Sequence, residues 1–435
     1  MKKLLSISLA SIVSVFLFVS VSYSASYIIT QLTNNSYDDE DPSISDGWYV
    51  AWEGFDGNDP EIFRYDGQTT EQLTDNPYYD ALRSNDYAGQ INSSGDVVWA
   101  GMLSGTGSGG ANEIFRYDSS GILRLTDDDY RDESPQTNDN GEMVWRGYDG
   151  SDYHIFYYDG SNITNISAGA CSGVSDMFQM NSNGDVVWMG TSLDGGGDGE
   201  IFLYDGTTTT QLTDNDYGDE SPQINENGQV VYVGRTGPSS VYEEIFLYDG
   251  TTTTQLTDNS SYDVQPDINK DGHVVWSHQT NGGYEILYYN GSTIIPIAHT
   301  QSGSGNPKIS STGFIVWLGI EAASAVSKLH VWDGQTITLP DSEGAMYHQI
   351  NSNGDVVWAA HDGNDLEIFL ARLIKKTDIR VSSSSDDAEE STSGEVHLES
   401  SDLELVYDAY LDRGDQLVGI RFNGVNISQG AYIQD

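Results

Sequence analysis

The chain has 435 residues and carries 67 acidic against 18 basic side chains, a formal net charge of −49 at pH 7. That balance excludes a nucleic-acid binder, whose phosphate contacts need a basic surface, and it argues against an anionic membrane as partner. It favours cations, basic partners or neutral ligands such as glycans, and it also keeps a protein dispersed in water.

The N-terminus reads as a signal peptide over 1–24. Lys2 and Lys3 precede the apolar run Leu4–Val21, and Ser22-Tyr23-Ser24 supplies small residues at −3 and −1. Cleavage is expected between Ser24 and Ala25, releasing a monomer to the periplasm or beyond with no membrane insertion. The single cysteine, Cys171, can form no intramolecular disulfide. It has no nearby His, so nothing marks it as a catalytic thiol.

From Ala25 to Arg372 the chain repeats itself. Ile28–Thr33 (IITQLT) reads as a fourth strand with no first three before it. EIF-type segments then begin at Glu61, Glu113, His154, Glu200, Glu244, Glu285, Lys328 and Glu367, about 39 to 52 residues apart. Glu200–Asn215 and Glu244–Asn259 are identical, EIFLYDGTTTTQLTDN. One unit is read from Asp219 to Thr257, with a strand ending at Ile224 and a turn at Asn225–Gly228. A β-branched strand follows at Gln229–Val233, then strands at Glu244–Tyr248 and Thr251–Thr257 joined by Asp249-Gly250. Four antiparallel strands make one meander. The second-strand motif ends in Trp in seven of eight copies: Trp52, Trp99, Trp145, Trp188, Trp276, Trp317 and Trp358, with Tyr232 in the other. A residue present in every unit serves the repeat, here a ring plugging the gap between units. An aromatic platform for sugars is the other reading.

Spacing and count predict an all-β, eight-bladed β-propeller of four-stranded antiparallel blades over 25–372. Glu367–Ala371 (EIFLA) is a third strand with no QLT after it, so the N-terminal strand is expected to complete the last blade and close the ring. Residues 373–394 read as an acidic, Ser-rich linker. Strands at Glu395–Leu398, Leu403–Tyr407 and Gln416–Phe422 suggest a short, incomplete C-terminal β module over 395–435.

The unit resembles the TolB-like, WD40-like (PD40) β-propeller repeat. The likeness is carried by Gln211-Leu212-Thr213, Asp219-Glu220-Ser221-Pro222, Gly228, Val230-Val231-Tyr232 and Glu244-Ile245-Phe246. The tail resembles the start of a β-sandwich module appended to secreted bacterial proteins. The first resemblance implies a scaffold: relatives serve as periplasmic protein-binding propellers, peptidase-associated propellers or carbohydrate-related proteins. The chain departs from the usual Ser-Pro-Asp-Gly turn with Asn-x-Asn-Gly forms, as at Asn181–Gly184 and Asn351–Gly354. No role attaches to that turn from sequence.

Loops between blades, and those between second and third strands, should share one face and carry most of the irregularity. Leu103–Asn112, Ser192–Gly199, Arg235–Glu243 and Ile320–Ser327 are the clearest cases. Asp39, Asp86, Asp132, Asp219 and Asp263 stand three residues before Pro42, Gly89, Pro135, Pro222 and Pro266. As an interblade ring they would offer hard oxygens to Ca²⁺, or each would cap its own loop. Ser175, Ser304 and Ala345 interrupt the ring. The turns Asp56-Gly57-Asn58-Asp59 and Asp362-Gly363-Asn364-Asp365 look calcium-like but lack the remaining ligands of an EF-hand loop. No catalytic motif stands out, and His348 and His361 read as loop histidines near the eighth second strand. The expectation is a non-enzymatic exported scaffold binding a protein or glycan through its acidic loop face. The alternatives are a polysaccharide lyase or glycoside hydrolase with a channel-mouth site, and a Ca²⁺-stabilised module of a surface protein.

Overall fold

A computed structural model describes residues 26–77, 80–82, 90–102, 111–193, 197–237, 242–301, 305–320, 326–374, 389–390 and 396–397. The signal segment, most of the linker and the strands expected at 403–407 and 416–422 lie outside them. Among the described residues there is no helix.

Eight antiparallel sheets follow one another along the chain: 39–72, 80–124, 132–165, 171–211, 219–255, 263–300, 308–338, and 346–374 joined by 26–31. We number them blades one to eight. In the best-matched unit the strands fall at Asp219–Ile224, Val230–Gly234, Glu244–Tyr248 and Thr253–Gln255, within two residues of expectation. Ser26–Gln31 pairs antiparallel with Leu366–Ile374, Ile29 opposite Ala371, so the N-terminal strand completes blade eight. Beyond Ile374, Glu389–Glu390 pairs with Val396–His397.

The cores lie between blades. Eight buried apolar clusters occupy eight junctions, and the closing one joins Val50 and Trp52 of blade one to Val357, Ala359, Ile368 and Leu370 of blade eight. Strand alternation explains this: in blade one, Trp52 faces blade eight while Ala51 faces blade two. The second-strand aromatics are buried, and seven stack on a ring of the third strand, while Trp276 stands opposite Leu287. Trp52 lies on Phe63 at 5.8 Å, Trp145 on Phe156 at 5.9 Å and Tyr232 on Phe246 at 5.4 Å. They are the interblade plugs expected of a residue that recurs in every unit.

The remaining repeat residues satisfy backbone groups at the loop face. The Thr of each Leu-Thr pair accepts the N–H of the Ile in the EIF segment. Thr74, Thr126, Thr213, Thr257 and Thr33 do so for Ile62, Ile114, Ile201, Ile245 and Ile368, each at 2.9 Å. In blade three Ser167 takes this place, 3.0 Å from the Ile155 N–H. The Glu opening the segment is buried and accepts a backbone N–H from the following interblade loop: Glu61 from Asn76 and Glu367 from Asn35, both at 2.9 Å.

Candidate functional site: the acidic interblade face

Four of the five predicted aspartates, Asp39, Asp132, Asp219 and Asp263, are buried at the start of their first strands. Three accept the indole N–H of their own blade's Trp: Asp39 from Trp52 and Asp132 from Trp145 at 3.1 Å, Asp263 from Trp276 at 2.9 Å. Asn35, Asn215 and Asn259 donate amide hydrogens to Asp39, Asp219 and Asp263 at 2.6 to 2.7 Å. Asp86 lies outside the described residues. The position equivalent to Asp39 in blade two is Asp80, which accepts from Trp99 at 3.2 Å and Asn76 at 2.6 Å. Proline and glycine spacing misplaced that register because blade two has a long insertion before Gln90.

In four blades a glycine two residues after the second-strand aromatic makes room for the carboxylate. A Cβ on Gly54, Gly101, Gly147 or Gly234 would stand 2.2 to 2.4 Å from the Asp Oδ1. Where the carboxylate changes, so do its neighbours. In blade four Cys171, not Ser175, meets the indole of Trp188, with Sγ 3.4 Å from Nε1. In blade eight Ala345 replaces the carboxylate and Ala360 the glycine. In blade six His278 replaces the glycine and sits 2.7 Å from Asp263. The four described aspartates do not converge: among the described residues, no group of three or more metal-type side chains includes any of them.

Burial dominates the titration of three of them. It pushes Asp39, Asp132 and Asp219 up to about 7, against the hydrogen bonds that favour the charged form. Turn aspartates such as Asp56, Asp66, Asp149 and Asp249 are held low, Asp56 and Asp66 first by backbone N–H donors of their own turns. Between the ordinary Asp value near 4 and about 7, the folded chain holds protons that the unfolded chain has released, so stability falls as pH rises through that window. Below about pH 4 the turn aspartates lose their contribution. Denaturant melts should therefore give a higher midpoint near pH 4.5 than near pH 7.5, and the reverse order would refute this reading.

The channel face carries a feature whose role sequence reasoning missed. The Asn opening the Asn-x-x-Gly turn reaches the next blade in five blades, and Asn269 of blade six does not. Asn181 donates to the Asn225 carbonyl at 2.9 Å, Asn225 to Asn269 at 2.8 Å, and Asn351 to Ser45 across the closure at 3.0 Å. Asn183, Asn227 and Asn353, third in their turns, donate to Glu226, Lys270 and Asp46 carbonyls at 2.6 to 3.1 Å. The departure from Ser-Pro-Asp-Gly thus laces neighbouring blades, and its recurrence was the available signal. These turns ring a central opening of about 320 Å³ lined by all eight blades.

Two histidine environments need separating. His348 is not a loop histidine: it is buried at a first-strand bulge, with Nε2 2.9 Å from the Asn306 carbonyl, and burial pushes it down to about 3. His361 is exposed. His154 has Nδ1 3.2 Å from Ser167 Oγ and Nε2 3.2 Å from Asp149, a Ser-His-Asp set by contact. Ser167 is fully buried and already accepts from Ile155, so no substrate carbonyl reaches it.

The loop face gathers carboxylates and aromatic rings. Asp38 Oδ1 accepts the Leu366 N–H at 2.9 Å across the blade-eight closure. A cleft of about 390 Å³ opens there, lined by Tyr37, Asp38, Glu40, Glu53, Phe55 and Asp365 among others. Tyr37, 43% exposed, packs edge-on against Phe55 at 5.2 Å. Glu40 and Glu53 already have other partners. Of the irregular loops expected to carry function, residues 103–110, 194–196, 238–241 and 321–325 lie outside the described residues.

No protein-family model matches the sequence. No curated protein matches it. Solved structures do match. Oligogalacturonate lyase in complex with manganese superposes with a TM-score of 0.50 at 11% identity over 80% of this chain and 98% of that one. The β-propeller domain of the trilobed protease from Pyrococcus furiosus gives 0.48 at 15% identity, over 71% and 99%. An acylaminoacyl peptidase from Pyrococcus horikoshii gives 0.46 at 14% identity, with 75% of this chain against 59% of that one. At such identities the likeness shows the fold alone.

Proposed function

We propose that the chain is an exported, non-enzymatic binding scaffold whose acidic loop face takes a basic segment of a partner protein. The observation that carries this reading is the cleft between blades eight and one, where carboxylates surround a Tyr–Phe pair. An ammonium or guanidinium group is stabilised there twice, by charge-assisted hydrogen bonds to carboxylates and by the ring faces. The chain's charge of −49 adds long-range attraction for such a partner.

The test is binding of the purified protein to immobilised Lys/Arg peptides, charge-reversed peptides and a neutral glycan panel. Basic peptides should bind and weaken with salt. Tyr37→Ala and Asp38→Asn should each weaken them about tenfold, the scale of one charge-assisted contact. Asn at 38 still offers an oxygen to Leu366, so the closure survives. Equal binding by wild type and both variants, or preference for neutral glycans, overturns the proposal.

A further inference from the structure

We propose that the second-to-third-strand turns of blades eight and one each hold a Ca²⁺ ion, at Asp362, Asp365 and Glu367 and at Asp56, Glu61 and Asp75. In each set one ligand oxygen per residue lies within 4.8 Å of the others. Two oxygens on opposite sides of a Ca²⁺ stand about 4.8 Å apart, since each bonds at about 2.4 Å. The turns share one frame, Asp-Gly-Asn-Asp-x-Glu, over 56–61 and 362–367.

A second observation points to a ligand. Glu61 and Glu367 are fully buried, and the Oε2 of each has no hydrogen-bond partner. Buried Asp365 Oδ1 is likewise unpartnered, and so is Asp59 Oδ2 beside the blade-one set. Such oxygens are costly to bury unless something satisfies them. The first oxygens are engaged, Glu61 Oε1 by Asn76 and Glu367 Oε1 by Asn35.

The other blades supply the comparison. Blade three reads Asp-Gly-Ser-Asp-x-His over 149–154, with His154 in the Glu position, and His154 pairs with Asp149 at 3.2 Å. In blade two, Glu113 pairs with Arg124 at 3.0 Å. A basic side chain thus meets one carboxylate oxygen in each; Glu113 Oε2 and, in blade four, Glu200 Oε2 are unpartnered too, but among the described residues only the sets of blades one and eight bring three carboxylates together. Among the described residues, no Lys, Arg or His is paired with Asp56, Asp59, Glu61, Asp75, Asp362, Asp365 or Glu367.

The donor set selects the ion. All groups are oxygen, with no His or Cys, which disfavours Zn²⁺ and Cu²⁺. Several anionic oxygens in an irregular cage suit Ca²⁺, whereas Mg²⁺ demands near-octahedral geometry and keeps its water. The blade-eight site also sits on the ring closure, because Glu367 holds Asn35 and Asp38 holds Leu366.

The experiment is calorimetric titration of CaCl₂ into the chelator-stripped full chain, with melting measured in Ca²⁺ and in EDTA. Saturable binding of about two ions per chain is expected, together with a higher Tm in Ca²⁺. Asp56→Asn with Asp75→Asn should remove one ion, and Asp362→Asn should remove the other along with the larger share of the Tm shift. These three residues are exposed or half-buried, so the buried glutamates and the fold stay intact. No saturable heat with equal Tm in both conditions overturns the proposal. So does undiminished binding in both variants, which would mark diffuse attraction to an acidic surface. The ion itself is the readout, so the outcome is separable from partner binding.

Discussion

Deleting residues 26–33 should destabilise the ring by roughly 5 kcal/mol, a loss comparable with the whole stability of many domains. The strand Ser26–Gln31 makes six residue pairings with the last strand of blade eight. Tyr27, Ile29 and Leu32 pack half-buried on the cores flanking that blade. Leu32 N–H reaches the Ile368 carbonyl at 2.7 Å, and Thr33 Oγ1 accepts the Ile368 N–H. The deletion also uncovers the edge of Leu366–Ile374, which carries Ile368, Phe369, Leu370 and Ala371. A long apolar edge templates association, so the variant should aggregate as well as melt early. Guanidinium melts and size-exclusion profiles check this. A variant that remains monomeric with an unchanged midpoint would show that the ring does not depend on its terminal strand.

Trp145→Ala should cost about 4 kcal/mol from lost transfer energy and the cavity, plus about 1–2 kcal/mol because Asp132 loses its indole donor while buried. Trp145 is 1% exposed and stacks on Phe156. Blade eight provides the internal control. Trp358 is equally buried, but its Nε1 has no partner, and Ala345 stands where the other blades place a carboxylate. Trp358→Ala should therefore cost only the transfer and cavity part. Adding Asp132→Ala to Trp145→Ala should recover part of the excess, a coupling expected of residues in contact. Equal losses at 145 and 358 in denaturant melts would show that the carboxylate contributes nothing to the interblade plug.

Much of this architecture was legible because a propeller repeats its local rules. From Ile245 to Tyr248 the third strand of blade five alternates buried and half-buried side chains, and Asp249-Gly250 turns back on itself, with no information needed from distant residues. The terminal mismatch, a fourth strand at the start and a missing one at the end, implied closure without any coordinate. Trp52 and its counterparts were correctly read as structural for the same reason. The interblade aspartates were legible as a set, though Asp80 was not recognised as a member. A two-residue strand after a variable loop carries too little pattern to fix its register.

The candidate sites were less legible, since they depend on what lies across a junction. Asp56 and Asp362 looked calcium-like as turns but lacked the remaining ligands of an EF-hand loop. Glu61 was counted as a repeat residue, and Asp75 belongs to the loop leading into the next blade. The Asn-x-Asn-Gly turns showed no role until the next blade's carbonyls came within 3 Å. By itself the sequence determined the blade count, the strand order and the closure. Those follow from short-range periodicity and from one unmatched strand at each end. Only the tertiary structure decided which carboxylates share the cleft, because bending the units into a ring sets Asp365 of blade eight beside Asp38 and Glu40 of blade one, some 330 positions apart in the chain.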